Sequence, residues 1–358
     1  MERFGFVGLP NAGKSSLYNA LAGGGALAAP YAFATTDPNV GVASVPDARL
    51  DRLAEMSSSR KVVHAAVQFV DIGGLVEGAS KGEGLGNRFL AHIREVDAVV
   101  YLLRAFEDGD VPGPTDPMDH LAVVELELCL ADLETIEKQL EKKRKQAKID
   151  KTVAAELAAL DAAYEVLAAG TPLYRSSVPE ADREVLRPWF LLTNRPVLAV
   201  VNIDESQLDT ADAVAAPIRA ELGDHAEVLP VCVQLEAEAA TLDPADRAEM
   251  LEALGLGEGA LPRFVQAAYH LLGLRTFLTT GDKESRAWTF KAGWKAPRCA
   301  GVIHGDLERG FIRAEVIRWD ELLDIGSWTK AKELGRIRVE GKDYEVQDGD
   351  VLEIRHNA

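Results

Sequence analysis

The sequence has few of the features that would place a protein in a membrane or outside the cell. Its three cysteines, Cys129, Cys232 and Cys299, are widely spaced and odd in number, which favours free buried thiols over a disulfide framework or a metal site. No apolar run approaches the length that spans a bilayer, and no signal peptide precedes the apolar segment at Phe4. We therefore expect a cytoplasmic protein without a membrane partner.

Positive charge is also scarce. Lysine and arginine number 39 against 57 aspartates and glutamates, which gives a formal net charge of −18. A surface of this sign repels phosphate backbones, so the composition excludes a protein that coats nucleic acid indiscriminately and confines any RNA contact to a local patch. The 358 residues are enough for two or three domains, each with its own core.

Against these absences, residues 8–15 have the sequence G-L-P-N-A-G-K-S directly after the apolar run Phe4–Val7. This spacing is that of a P-loop, in which backbone N–H groups surround a β-phosphate and glycines allow positive φ angles. Lys14 is expected to reach the β- and γ-phosphates and Ser15 to ligate Mg²⁺ at the start of a helix. The bland alternative is a glycine turn with a surface lysine. The predicted nucleotide-binding residues here are Asn11, Ala12, Gly13, Lys14, Ser15 and Ser16.

Two further segments are predicted to sense the γ-phosphate. The run 64–70 predicts a strand that ends in the D-x-x-G pattern 71–74, where Asp71 holds Mg²⁺ through water and the Gly74 N–H bonds the γ-phosphate. Thr35 is the expected hydroxyl of the first switch. Leu75 occupies the position where Ras-like enzymes keep a water-orienting glutamine, and a leucine cannot orient water. The predicted catalytic positions are thus Lys14, Gly74 and Leu75.

The base-recognition segment follows the buried run 196–201 and is Asn202-Ile203-Asp204-Glu205. A guanine-specific site has N-K-x-D, whose aspartate accepts two hydrogen bonds from guanine. Here isoleucine replaces the lysine and Glu205, one methylene longer, replaces the aspartate. Each misplaced acceptor would cost guanine ~1–3 kcal/mol, whereas adenine has no donor at either position. The sequence therefore predicts ATP in preference to GTP.

These motifs together resemble the YchF family of Obg-like ATPases over nearly the whole chain. The resemblance implies a TRAFAC-class P-loop ATPase that associates with the ribosome, its large subunit or RNA, and acts in translation or stress responses. It also implies that Val231, Cys232 and Val233 form a further nucleotide loop and that Asn11 helps to hold K⁺. In relatives a loop histidine aids hydrolysis, but residues 105–117 contain none. His120 is a possible substitute, and a solvated or capping residue is the alternative.

The remaining segments predict two additions to the nucleotide domain. Leucine-rich stripes, at Leu126, Leu130, Leu133, Ile136 and Leu140 and at Leu157, Leu160, Tyr164 and Leu167, predict an antiparallel helical hairpin. Its tip carries Lys142, Lys143, Arg144, Lys145, Lys148 and Lys151, which fits either an RNA-contacting patch or a solvated helix face. Short alternating runs near the C-terminus, together with the resemblance, indicate a TGS domain.

We accordingly predict an α/β fold: a P-loop NTPase, or G-domain-like, domain at 1–118 and 190–275, a helical hairpin at 119–189, and a C-terminal β-grasp, ubiquitin-like TGS domain at 276–358. ATP and Mg²⁺ are the expected cofactors, and the resemblance adds K⁺. Turnover is expected to be slow, and the chain is expected to be a monomer. Two alternatives remain open, a GTPase and a nucleotide-gated ribosome- or RNA-binding scaffold with negligible hydrolysis. A small-molecule kinase is less consistent with the D-x-x-G switch.

Overall fold

The structure is a computed structural model, and it describes residues 1–22, 40–71 and 94–357. The chain divides into two compact units, the first made of Met1–Val42 and Gln68–Phe264 and the second of Ala43–Val67 and Val265–Ala358. The strands are β1 (Arg3–Val7), β2 (Val40–Ser44), β3 (Val62–Val63), β4 (Ala66–Asp71), β5 (Ala98–Arg104), β6 (Val197–Asn202), β7 (Ala226–Val231), β8 (Leu274–Thr279), β9 (Ser285–Lys291), β10 (Phe311–Arg318), β11 (Arg338–Glu340) and β12 (Asp350–His356).

The helices of the described residues are distributed over both units. They are α1 (Lys14–Ala22), α2 (Ala48–Met56), α3 (Pro117–Ala147), α4 (Ala154–Ala168), α5 (Glu180–Val185), α6 (Ala211–Leu222), α7 (Val233–Ala239), α8 (Pro244–Ala253), α9 (Leu261–Leu271), α10 (Ala296–Ile303), α11 (Gly305–Arg309), α12 (Trp319–Ile325) and α13 (Trp328–Glu333). No helix among the described residues is both long and apolar enough to cross a bilayer.

The first unit is built on a sheet with strand order β2-β4-β1-β5-β6-β7. Its strands β4, β1, β5, β6 and β7 run parallel. Every residue of β5 and β6 is buried, as expected for central strands covered on both faces. Phe6 stacks on Phe69 with ring centroids 5.5 Å apart, which fixes β1 against β4. In a parallel sheet all the carboxyl ends meet at one edge, and the strand order reverses beside β1.

Helices α3 and α4 form the predicted antiparallel hairpin, but the predicted stripe on α3 is only partly right. Ile136 and Leu140 are buried against α4, whereas Leu126 is 50% exposed. The N-terminal half of α3 instead buries Leu121, Val124 and Leu128 in the core beside the sheet. A helix of 31 residues has different neighbours along its length, so its buried face rotates midway.

The second unit contains a mixed sheet with the order β11-β10-β12-β8-β9-β3. Strands β8 and β9 form an antiparallel hairpin, β12 lies parallel to β8, and β10 pairs antiparallel with β12. The β-grasp arrangement has a first hairpin, a helix after it, and a last strand parallel to the first. Here these are β8 and β9, α10, and β12 beside β8. The predicted α/β fold class, with its P-loop domain, helical hairpin and C-terminal β-grasp, is therefore confirmed.

The two units differ from the predicted domain limits in one notable way. Residues 43–67, which the sequence assigns to the nucleotide domain, lie with the C-terminal residues in the second unit. Within that unit β3 pairs with β9 through Val62 and Ser285, and Arg49 binds Asp348 at 2.7 Å. The hairpin 119–189 is part of the first unit. The three cysteines are free and buried, as expected.

Candidate functional site

The predicted nucleotide-binding segments meet at one edge of the parallel sheet. The P-loop follows β1, Asp71 ends β4, residues 105–116 follow β5, and Asn202 ends β6. Residues 232 and 233 follow β7 in the same way. Because the carboxyl ends of parallel strands share an edge, segments far apart in the sequence line one cleft.

The P-loop has the backbone that its glycines were predicted to allow. Gly13 has a φ of +98° and Asn11 a φ of +62°. A Cβ on Gly8 would lie 2.5 Å from the Leu102 carbonyl oxygen, so only glycine fits against β5. The Lys14 ammonium is buried and donates to the carbonyl oxygens of Gly8 at 2.9 Å and Leu9 at 2.7 Å. Burial lowers the pKa of Lys14 to about 8, against an opposing effect of Asp71.

Ser15 and Asp71 provide an oxygen pair that fits Mg²⁺. The Ser15 hydroxyl donates to Asp71 Oδ2 at 2.8 Å. Hydroxyl and carboxylate oxygens are ligands that this hard cation prefers, and it keeps several waters of its own. The structure thus brings two of the three predicted Mg²⁺ residues together. The third, Thr35, and the predicted catalytic positions Gly74 and Leu75 lie outside the described residues.

Asn202 connects three of the predicted nucleotide-binding segments. Its side chain is buried, donates from Nδ2 to the Ala12 carbonyl oxygen at 3.0 Å, and accepts at Oδ1 from the Val233 N–H at 3.2 Å. A Cβ added at Gly13 would lie 2.5 Å from the Asn202 Nδ2, so the amide leaves room for glycine only. The asparagine therefore fixes the P-loop and the start of α7 relative to β6.

A cleft of about 950 Å³ lies between the loop after β5 and helix α7. Its lining residues are Asn11, Gly13, Ser16, Phe106, Glu107, Asp108, Gly109, Val111, Asn202, Ile203, Asp204, Val233, Gln234, Ala237, Glu238 and Thr241. The buried Ile203 donates its N–H to the Val231 carbonyl oxygen at 3.0 Å, and Cys232 is buried behind the lining. Burial raises the pKa of the Cys232 thiol, so it stays neutral.

Glu205 is exposed and is not part of this lining. It begins a short 3₁₀ helix, Glu205–Thr210, that Asp204 caps by accepting from the Ser206 N–H at 2.8 Å. In return, Gln207 Oε1 accepts from the Asp204 N–H at 2.8 Å. The D-x-x-Q capping box at 204–207 was visible in the sequence and accounts for the direction that the chain takes here.

His120 is neither solvated nor a cap, contrary to that expectation. Its ring is buried, and Nε2 donates to the Pro114 carbonyl oxygen at 2.8 Å, while Asp116 caps α3. Burial lowers its pKa, with Arg104 and Lys14 adding to the shift, so the ring is neutral near pH 7. No described residue bonds its Nδ1.

Sequence reasoning missed Arg104. It ends β5, is buried, and donates three hydrogen bonds to carbonyl oxygens of the loop that forms one wall of the cleft. The signal that could have found it was a charged residue at the end of the apolar run 98–103, where a lone buried charge needs several acceptors.

Comparisons with known proteins agree with this geometry. A family model described as a 50S ribosome-binding GTPase matches residues 3–202, and YchF-GTPase_C, described as a protein of unknown function, matches residues 274–357. The Ribosome-binding ATPase YchF of Bacillus subtilis (strain 168) is 46% identical over 99% of both chains. The chain belongs to the YchF family.

Other relatives support the same membership. The Ribosome-binding ATPase YchF of Haemophilus influenzae is 43% identical over 99% of both chains. The solved structure of the Schizosaccharomyces pombe YchF GTPase has a TM-score of 0.89, at 31% identity over 99% of this chain and 97% of that one. The names of these YchF relatives differ in the nucleotide, which is ATP in the two bacterial proteins and GTP in the Schizosaccharomyces pombe structure.

Proposed function

We propose that this YchF-family protein is a slow, Mg²⁺-dependent P-loop ATPase that prefers ATP to GTP and associates with ribosomes in translation or stress regulation. The observation that carries the nucleotide preference is the base-recognition segment, where Ile203 lines the cleft and Glu205 is exposed outside it. The bacterial relatives' names, which include both ribosome binding and ATPase activity, support the same function.

The preference for adenine follows from the acceptors that guanine would need. Guanine has N1–H and N2 amine donors, which a carboxylate at position 205 would have to accept. Asp204, the nearest carboxylate along the segment, already accepts from Ser206 as a helix cap. A guanine base would leave donors unpaired at ~1–3 kcal/mol each, whereas adenine presents none at these atoms.

A paired calorimetric titration with ADP and GDP tests the preference. We expect ADP to bind at least about tenfold more tightly, which corresponds to ~1.4 kcal/mol. The double substitution Ile203→Lys with Glu205→Asp should raise GDP affinity, and Glu205→Asp alone is the matched control. Tighter binding of GDP than ADP by the unsubstituted protein would refute the proposal.

The site residues support Mg²⁺ at Ser15 and Asp71, with Thr35 as a further predicted ligand, and K⁺ beside Asn11. When bound, these cations would neutralise charge on the transferring phosphoryl group. Lys14 would hold the β- and γ-phosphates. We expect hydrolysis to be slow and faster in K⁺ than in Na⁺; equal rates in the two salts would remove K⁺ from the proposal.

Ribosome association is proposed to use the tip of the hairpin α3–α4 and the β-grasp domain. At the tip, Lys143 pairs with Glu156, Arg144 with Asp161 and Lys145 with Glu141. Lys142 and Lys148 are exposed and take no part in the ion pairs between described residues. These two lysines are the better test of a phosphate contact, because reversing them breaks no pair within the hairpin.

Lys142→Glu with Lys148→Glu should weaken co-sedimentation with ribosomes and flatten its dependence on salt concentration. The control, Arg187→Glu with Arg263→Glu, reverses two exposed charges of the same unit away from the tip. Unchanged sedimentation of the lysine variant would exclude the tip as a contact.

A scaffold that binds ATP but hardly hydrolyses it is the second candidate function. It is favoured by the buried position of His120, whose Nε2 is already committed to Pro114. Single-turnover hydrolysis with and without ribosomes separates the two functions. Acceleration by ribosomes supports the ATPase switch, and no acceleration together with nucleotide-independent ribosome binding supports the scaffold.

A further inference from the structure

The cleft wall opposite α7 is a loop with little hydrogen bonding of its own. This cleft loop, residues 105–116, contains Gly109, Gly113 and two prolines, Pro112 and Pro114. Its internal backbone bonds include one from the Val111 N–H to the Asp108 carbonyl oxygen at 3.1 Å. Phe106 and Val111 nevertheless face the cleft at defined positions. A loop of this kind needs outside contacts to keep one conformation.

Arg104 provides three of those contacts. Its Nε donates to the Phe106 carbonyl oxygen at 3.0 Å, its Nη2 to Val111 at 3.1 Å and its Nη1 to Pro112 at 3.2 Å. Its guanidinium carbon lies 4.4 Å from the centre of the Phe106 ring. One planar group thus holds both ends of the segment 106–112.

The arrangement depends on the guanidinium shape rather than on charge alone. The side chain is 1% exposed, and the ion pairs between described residues do not include it. Its charge is therefore balanced by three carbonyl dipoles. An arginine has five donors in a fixed plane, whereas a lysine ammonium is a point donor on a flexible stem and cannot reach three carbonyls in this geometry.

The same carbonyl joins the cleft loop to the P-loop. The Pro112 oxygen accepts from Asn11 Nδ2 at 3.4 Å as well as from Arg104. On the other side, Gln207 Nε2 donates to the Ala105 oxygen at 3.0 Å, and the Ala105 N–H donates to the Asn202 oxygen at 2.9 Å. Arg104 thus lies beneath a loop that borders the P-loop, the base-recognition segment and the cleft.

We propose that Arg104 is a positioning residue for nucleotide binding: it fixes Phe106 and Val111 as the wall against which the base and ribose are bound. This inference rests on the proposed nucleotide-binding function. The hydrogen bonds of the Arg104 side chain all go to carbonyl oxygens of the cleft loop, so it should act on the affinity for the nucleoside part and leave the phosphoryl-transfer step alone. Its loss therefore removes binding that is equal in ground and transition states, which raises KM and spares kcat.

The test compares Arg104→Lys with the unsubstituted protein, using ADP and inorganic tripolyphosphate as separate probes in calorimetry and ATP in steady-state hydrolysis. We expect ADP affinity to fall by about tenfold or more, tripolyphosphate affinity to stay within about threefold, and KM for ATP to rise with kcat nearly unchanged. Equal losses for ADP and tripolyphosphate, a loss of kcat, or no loss at all would each overturn the assignment.

Two further variants keep the test decisive. Phe106→Ala removes part of the wall without leaving a buried charge, and should reproduce the selective loss of ADP even if Arg104→Lys unfolds. Arg195→Lys is the matched control. Like Arg104, Arg195 donates to a carbonyl oxygen, that of Arg94 at 3.0 Å, and lies 6.0 Å from an aromatic ring centre, that of Phe190. Unlike Arg104, it precedes β6 and so lies at the other edge of the sheet. It should leave ADP affinity unchanged.

The outcomes also separate this inference from the proposed function. If the unsubstituted protein prefers GDP, the adenine preference fails, and Arg104→Lys measured with GDP still decides the role of Arg104. If the unsubstituted protein binds neither nucleotide, both proposals fail.

Discussion

Replacing Asn202 by alanine removes two buried hydrogen bonds at the junction of the nucleotide-binding segments. The Ala12 carbonyl oxygen loses its donor at 3.0 Å, and the Val233 N–H loses its acceptor at 3.2 Å. Both groups belong to segments that are predicted to contact nucleotide. The substitution therefore tests whether the cleft is preorganised by this one side chain.

The magnitude follows from the groups that are left without partners. A buried polar group without a hydrogen bond costs about 1–3 kcal/mol, and the substitution leaves two. We expect Asn202→Ala to lower the free energy of unfolding by ~2–6 kcal/mol. Because the P-loop and the start of α7 are no longer held together, ADP affinity should fall about 10- to 100-fold. Urea unfolding and calorimetric titration measure the two effects.

Two companions show whether the loss arises from this contact. Gly13→Ala places a Cβ 2.5 Å from Asn202 Nδ2 at a φ of +98°, so it should displace the same amide and give a similar loss of affinity. The matched control is Asn194→Ala, which removes one bond from Nδ2 to the Arg183 carbonyl oxygen at 2.9 Å, before β6. It should cost about 1 kcal/mol of stability and no affinity. The reasoning is wrong if Asn202→Ala changes affinity less than threefold.

Three further outcomes are expected. The pKa of Lys14 is lowered to about 8, and ADP binds the protonated ammonium. The affinity for ADP should therefore fall about tenfold between pH 7 and pH 9, and an ADP affinity that calorimetry finds constant over this range would contradict this. Burial raises the pKa of Asp132 to about 6, so the free energy of unfolding should fall as the pH rises from 4 to 6. Urea unfolding should show the unsubstituted protein losing up to ~3 kcal/mol over that range relative to Asp132→Asn. Gly8→Ala should lower the melting temperature and weaken ADP binding, because its Cβ would lie 2.5 Å from the Leu102 carbonyl oxygen. Gly109→Ala, whose Cβ would have nothing within 4 Å, should change neither quantity in the same thermal scan and titration.

The P-loop and the central strands could be predicted because their sequences allow few other structures. Gly13 needs a positive φ, and Gly8 must approach β5 closely, so the motif specifies its own backbone. The apolar runs at 98–103 and 197–201 became fully buried parallel strands. Their order in the sheet then brought Lys14, Asp71 and Asn202 to one edge without any further information from the sequence.

The local geometry of the base-recognition segment was harder to predict. Comparison with N-K-x-D assigned Glu205 by its position in a motif, which assumes that the following backbone is unchanged. The capping box of Asp204 and Gln207 instead starts a 3₁₀ helix at that residue and leaves its side chain exposed. A motif gives the order of side chains, whereas their direction depends on the hydrogen bonds of the next turn.

Long-range pairing accounts for the segment 43–67, whose place in the second unit the sequence did not reveal. Strand β3 has only two residues, and no periodicity identifies so short an element. Its partners in β9 lie more than 200 positions away. The Ser59 and Ser285 hydroxyls add a contact of 2.7 Å over a similar separation, and Ser285 also contacts the nearby Thr280 hydroxyl at 2.7 Å. Because each of these bonds is worth only about 1 kcal/mol, the assignment emerges from their number and from the helix α2 packed beside them. Residues 43–67 therefore belong structurally to the second unit, although they lie in the sequence between two predicted Mg²⁺ ligands, Thr35 and Asp71.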